Sequence, residues 1–137
     1  MESCFHPELT KDEVNAISAL GLAHIGDGVF ELLVRTFLCT HGKGTNGNLH
    51  KLTVRFVSAP AQAEFMDKLL PHLTERELAI YKRGRNAHVH SIPKNATPGQ
   101  YAKATGLEAL FGALYLSGQQ ARIEALFLPV MEEAYAL

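Results

Sequence analysis

The stretch from Ala16 to Leu38, AISALGLAHIGDGVFELLVRTFL, is apolar at helical spacing yet carries the carboxylate of Asp27 between two glycines, Gly26 and Gly28. Each glycine in a helix interior costs about 1 kcal/mol relative to alanine. A carboxylate in apolar surroundings is costly unless it is paired or bound to a metal. Two readings are open. In the first, His24, Asp27, Glu31 and Arg35 form one stripe through spacings of three and four residues. That stripe would be the wet face of an amphipathic helix, with Glu31 and Arg35 as an exposed pair. In the second, the small residues flanking Asp27 let another backbone or helix approach the carboxylate, which a solvent-facing stripe does not require.

A second apolar run, Ala104 to Ala121 (ATGLEALFGALYLSGQQA), repeats the anomaly: Glu108 is the only charged residue between Lys103 and Arg122. Charged side chains are almost never buried alone. Gly112 lies one turn beyond Glu108 on the same face, and Gly106 lies close before it. Two apolar helices, each with one acid beside small residues, can pack closely enough to bring Asp27 and Glu108 together. Repulsion then raises a pKa unless a cation sits between them. Oxygen ligands without cysteine or clustered histidine favour a hard ion such as Mg2+. The alternative is that a basic side chain satisfies Glu108.

The rest of the chain also reads as helix. Thr10 with Glu13 fits a capping box, followed by Val14, Ile17 and Leu20 at helical spacing, and a second helix is expected from about Leu22 to Cys39. The glycine-rich THGKGTNGN (40–48) reads as a turn or loop. Leu49, Leu52, Phe56 and Val57 share one side of a short amphipathic helix, and Ser58 with Pro60 restarts the helix for AQAEFMDKLL (61–70). Thr74 with Glu77 caps ERELAIYKRGR (75–85), Thr97-Pro98 starts the helix that contains Glu108, and a last helix runs from Gln119 to about Tyr135 with Pro129 as its candidate break. No segment alternates with period two for long. The expected architecture is all-α, a helical bundle in a single domain over residues 1–137.

Composition bounds the function. With 137 residues, 47% apolar and 20% charged, the chain fits one globular domain. No apolar segment of membrane-spanning length lacks polar or glycine interruptions, and MESCFHPELTKDE (1–13) has no secretory pattern, so a cytoplasmic protein is expected. Cys4 and Cys39 imply neither a disulfide framework nor a zinc site. The net charge of −1 points to no partner, but its distribution does. KRGRNAHVHSIPK (82–94) holds Lys82, Arg83, Arg85 and Lys94 with no acid, a local cationic loop. His88 and His90 within it supply only two ligands and are not read as a metal site.

Taken together, LAHIGDGVFELLVR (22–35) and TGLEALFGALYL (105–116) resemble the two halves of the ribonuclease III catalytic signature. The chain is similar to the Mini-ribonuclease III branch, which has the catalytic domain without a double-stranded-RNA-binding domain. The likeness runs from about Ala19 to Ser117 and includes NLHKLTVRFVSAPAQA, KRGRNA and PKNA in the same order. It implies that Asp27 and Glu108 are catalytic and bind Mg2+, and that a homodimer cuts double-stranded RNA to 5′-phosphate and 3′-hydroxyl ends. The dimer is expected through the faces carrying the two signature helices. Larger relatives add carboxylates at the positions of Ala23 and Thr105, which leaves open one metal or two. His24 stands where relatives of the branch have tyrosine and is not read as catalytic.

The implied pathway is maturation of precursor large-subunit (23S) ribosomal RNA, with room for a ribosomal protein that remodels the RNA. Lys82, Arg83, Arg85 and Lys94 are the candidate phosphate contacts, with His50 and Lys51 as weaker ones. A rival is a catalytically inactive relative that binds RNA or assists ribosome assembly, against which the retention of both acids counts.

Overall fold

The computed structural model describes residues 3–41, 46–87 and 94–136. They form α1 (Lys11–Asn15), α2 (Ala19–Thr40), α3 (Asn46–Val57), α4 (Ala59–Leu69), a 3-10 turn (Leu70–His72), α5 (Glu75–Arg85), α6 (Pro98–Leu116) and α7 (Gln120–Ala136). No strand occurs among the described residues, as the lack of period-two alternation predicts.

Helix α6 is the axis, with α2, α4, α5 and α7 packed around it. Its residues from Ala104 to Leu114 are buried, except Glu108, which is half-buried. Between α2, α4, α6 and α7, Phe30 meets Phe65 edge-on at 5.2 Å and lies 5.8 Å from Phe111 and 5.9 Å from Phe127. A second cluster joins Val14, Leu22, Ile80, Ala109 and Ala113 on the side of α6 toward α1 and α5. Helix α6 thus spends most of its apolar surface inside the chain. The large exposed apolar side chains among the described residues include Leu20 and Leu32 of α2 but none of α6.

The predicted capping boxes at Thr10–Glu13 and Thr74–Glu77 are both formed, Thr97 caps α6 with Gln100, and Ser58 caps α4. Two expected boundaries are corrected. The first helix stops at Asn15, because the Ser18 hydroxyl accepts from the Gly21 amide at 3.0 Å and starts α2 three residues before Leu22. A serine cap thus overrides apolar periodicity that runs on through it. In the other direction, α7 continues through Pro129. Pro129 and Ala125, whose carbonyl loses its intrahelical donor, are both on the exposed face of the helix, away from the core. At the far end of α6, Gly118 takes φ +76° and turns the chain into α7, with the Gln119 amide donating to the Leu114 carbonyl at 2.9 Å.

The α5 N-terminus is fixed by Glu77, which is buried. Arg122 of α7 donates to it from Nε and Nη2, each at 2.9 Å, and the Thr74 amide donates at 2.9 Å. The Arg122 guanidinium, foremost, holds the Glu77 carboxyl below its ordinary pKa. No helix among the described residues is long and apolar enough to cross a membrane.

Candidate active site

Helices α2 and α6 touch backbone to backbone. A Cβ at Gly26 would overlap the carbonyl oxygen of Glu108 and stand 2.9 Å from its Cα, and a Cβ at Gly112 would overlap the carbonyl oxygen of Leu22. These two glycines therefore answer the close-approach reading: each removes a side chain where the other helix's main chain passes. Gly84 of α5 crosses Gly106 in the same way, a Cβ there standing 2.9 Å from the Gly106 Cα. Gly28 does not follow the pattern. A Cβ there would meet nothing within 4 Å, so the expectation that both glycines beside Asp27 admit a neighbour holds for Gly26 alone.

A test follows. Gly28→Ala should stabilise the chain by about 1 kcal/mol, the helix-propensity difference, since no packing opposes it. Urea denaturation measures it. A loss of stability would mean that something unseen in one chain occupies that space.

The main-chain contact brings the two acids together. Asp27 is exposed, Glu108 is half-buried, and the Asp27 carboxyl is close enough to act on the titration of Glu108. Burial first, and then the hydrogen bond and charge of Asp27, push the Glu108 pKa up to about 8. Among the described residues the influences on Glu108 are burial, Asp27 and Gln62, none of them cationic. The bland stripe survives only in part. Glu31 and Arg35 make the expected exposed pair at 2.8 Å, worth a few tenths of a kcal/mol, and His24 is exposed.

Ala23 and Thr105, where larger relatives carry further acids, are buried, and the Thr105 hydroxyl donates to the Tyr101 carbonyl at 3.0 Å. No group of three or more His, Cys, Asp or Glu side chains gathers among the described residues. The site is a pair of carboxylates open to solvent on one side, a donor set of hard oxygens.

Sequence reasoning missed Gln62. It lies on α4 on the buried stripe with Phe65, Met66 and Leu69 and is 3% exposed. Its Nε2 donates to the Val57 carbonyl at 2.9 Å, and it lowers the Glu108 pKa against the larger effects of burial and of Asp27. The signal was present: a glutamine at i, with apolar residues at i+3, i+4 and i+7, is a polar group on a core face.

The predicted basic residues divide. Lys82, Arg83 and Arg85 occupy the last turn of α5, where positive charge also complements the helix dipole. The Gly84 crossing puts that turn against α6 two residues before Glu108. Lys82 and Arg83 are exposed and Arg85 is half-buried. Arg83 Nη2 donates to the Ile17 carbonyl at 3.1 Å, and the Arg85 guanidinium lies 5.7 Å from the Tyr81 ring centre. Lys94 is exposed, while His88 and His90 lie outside the described residues. His50 and Lys51 are exposed on α3, which packs on α2 and α4 rather than on α6.

Residues 20–119 match the family described as Ribonuclease III domain. The chain is 43% identical over 130 residues to Mini-ribonuclease 3 of Brevibacillus brevis, covering 95% of this chain and 93% of that one. It is 46% identical over 104 residues to Mini-ribonuclease 3 of Symbiobacterium thermophilum, covering 76% and 80%. A crystal structure of a Fusobacterium nucleatum protein superimposes with a TM-score of 0.80 at 30% identity, covering 89% of this chain and 98% of the other.

Proposed function

Because the chain belongs to the ribonuclease III family and is an endoribonuclease of that type, we propose that it hydrolyses double-stranded RNA with Asp27 and Glu108 jointly holding one Mg2+ ion. The observation that supports this reading is the close approach of α2 and α6 at Gly26 and Glu108, with the Glu108 carboxyl driven up to about 8 by burial and by Asp27. Such a pair is relieved by a divalent cation. A bound Mg2+ supplies Lewis acidity for water attack on a phosphodiester and neutralises charge on the leaving oxygen.

The chain's own part is to hold that charge at the surface. Asp27 is exposed, so an RNA backbone can reach the site, while α6 holds Glu108 from within. Products carry a 5′-phosphate and a 3′-hydroxyl. The last turn of α5 and Lys94 contact phosphates beside the site, with His50 and Lys51 farther off. Such contacts position a duplex without reading its sequence. Residues 1–137 act as one catalytic domain in a cytoplasmic homodimer, the exposed Leu20 and Leu32 of α2 lying on its interface. The substrate is precursor 23S ribosomal RNA, which a ribosomal protein remodels. Incubating the protein with one duplex and with its separated strands, with Mg2+ or with chelator, tests the activity. Cutting of the separated strands alone, or cutting undiminished by chelator, would overturn the proposal.

Two expected results arise here. With chelator present, the melting temperature should fall as pH rises from about 5 to about 8. A folded pKa above the unfolded value of 4.5 gives stability that is whole below 4.5 and lost through 8. Glu108→Gln should flatten that slope, and a slope unchanged by it would assign the titration elsewhere.

For the basic turn, Lys82→Ala with Arg85→Ala should weaken duplex binding at every sequence and lower the salt slope by about 2, one per lost phosphate contact. Arg83 is left intact in this test because its bond to Ile17 ties α5 to the start of α2. Binding equal to the parent across salt concentrations would remove the turn from the RNA interface.

A further inference from the structure

Arg35, Lys68, Lys103 and Arg122 each hold a carboxylate, at 2.7–2.9 Å. Lys11 of α1 and Arg76 and Arg83 of α5 hold none among the described residues, although all three line one open groove between those helices. Glu75 lines it too and pairs with none of them. Arg83 gives one hydrogen bond to the chain, from Nη2 to the Ile17 carbonyl, which leaves most of its guanidinium donors free. Arg76 is half-buried and Lys11 exposed. Like charges gathered in this way oppose folding slightly, and an anion relieves them.

The spacing tells which kind of anion. Arg76 and Arg83 are one stripe of α5, two turns apart, so about 10 Å separates them along its axis. The groove between them is lined by Ala79 and Ile80, which are short and apolar. Lys11 faces this stripe from α1 across the groove. A compact anion needs donors that converge on one point, whereas these are strung along a trough. A run of phosphates meets each of them in turn.

The groove also has a direction. Arg83 stands in the same last turn of α5 as Lys82 and Arg85, which the Gly84 crossing sets near Glu108. Arg76 lies at the other end of α5, beside Ala113 and Leu114, more than a turn beyond Glu108 on α6. The cationic line therefore leads away from the two acids.

We propose that the groove between α1 and α5 is a second phosphate-binding track, in which Lys11 and Arg76 hold the backbone of an RNA duplex arm beyond the point of cleavage. The proposal rests on the reading of the last turn of α5 as an RNA contact. Contacts of this kind hold the duplex in register without reading its bases.

The test measures binding of the full chain to RNA duplexes of increasing length, in chelator so that none is cut, over a range of salt concentrations. Lys11→Gln with Arg76→Gln should lower the salt slope by about 2 on long duplexes, one for each lost phosphate contact. On the shortest duplex that the parent binds, the same variant should match the parent. Neither side chain bonds to the rest of the described chain, so folding should hold. Should the double variant not fold, Glu75→Gln decides: it removes the acid from the groove and should tighten binding of long duplexes alone, by a few-fold.

A parent salt slope on long duplexes, or a loss as large on the shortest duplex as on the longest, would overturn the proposal. Lys82→Ala with Arg85→Ala, run beside it, separates the two levels, since it should weaken binding at every length. If that variant binds every duplex as the parent does, the RNA contact of α5 fails and the groove with it. If it weakens binding while the groove variant keeps the parent's slope, only the groove falls.

Discussion

Asp27→Asn and Glu108→Gln are each expected to lower Mg2+-dependent cleavage of duplex RNA by about a thousandfold or more while leaving the chain folded. Lewis-acid stabilisation of the transition state is worth several kcal/mol, and each 1.4 kcal/mol is about tenfold in rate. An amide keeps the shape of each side chain but not the charge that holds the ion. The two variants should differ in stability. Glu108 is half-buried and its charge is opposed by burial, so Glu108→Gln should raise the melting temperature in chelator at pH 8. Asp27 is exposed, so Asp27→Asn should shift stability by no more than about 0.5 kcal/mol. In both, the stabilisation that Mg2+ gives by binding the native state should vanish. Parent cleavage rates in either folded variant would end the shared-ion assignment.

Gly26→Ala should cost about 3 kcal/mol or more, at or beyond the upper end of the usual range for overpacking. Overpacking is mild when the obstructing atom ends a flexible side chain. Here the obstruction is the Glu108 carbonyl, so α2 must move away from the central helix along much of its length. Against a total stability of about 5–15 kcal/mol this is a large share, and Gly26→Val should leave little folded protein at 37 °C. Urea denaturation followed by circular dichroism reads the loss. Gly28→Ala, two residues along the same helix, should move the other way. A Gly26→Ala variant within about 0.5 kcal/mol of the parent would mean that the two helices are not in main-chain contact.

Those two glycines show how far the sequence could be read. That a glycine beside Asp27 admits a neighbouring backbone follows from residue types alone, but which glycine does so depends on how α2 rotates against α6. Helical class, two capping boxes and the partnership of Asp27 with Glu108 were all legible, because each depends on local chemistry or on one anomalous charge in an apolar run. The break at Ser18 was hidden by Ile17 and Leu20, which continue the apolar period across it. The persistence of α7 through Pro129 depends on that proline facing water, a tertiary fact. The Arg83 tether to Ile17 joins residues far apart in the chain, so a basic run read as purely a nucleic-acid surface conceals one residue with a second duty. Gln62 was visible as a polar residue on an apolar stripe, but its bond to the Val57 carbonyl needed the turn from α3 into α4.

A main-chain contact has no rotamers, and this bears on how the enzyme tolerates redesign. The phenylalanine cluster around Phe30, Phe65 and Phe127 sets much of the cohesion of the chain, but the spacing of the two acids is registered by the peptide backbone at Gly26 and Glu108. Volume-conserving changes in that cluster can therefore alter heat resistance with little effect on the placement of the carboxylates. Durability and catalytic geometry are separately adjustable in this small protein, provided the glycines at the helix crossing are left alone.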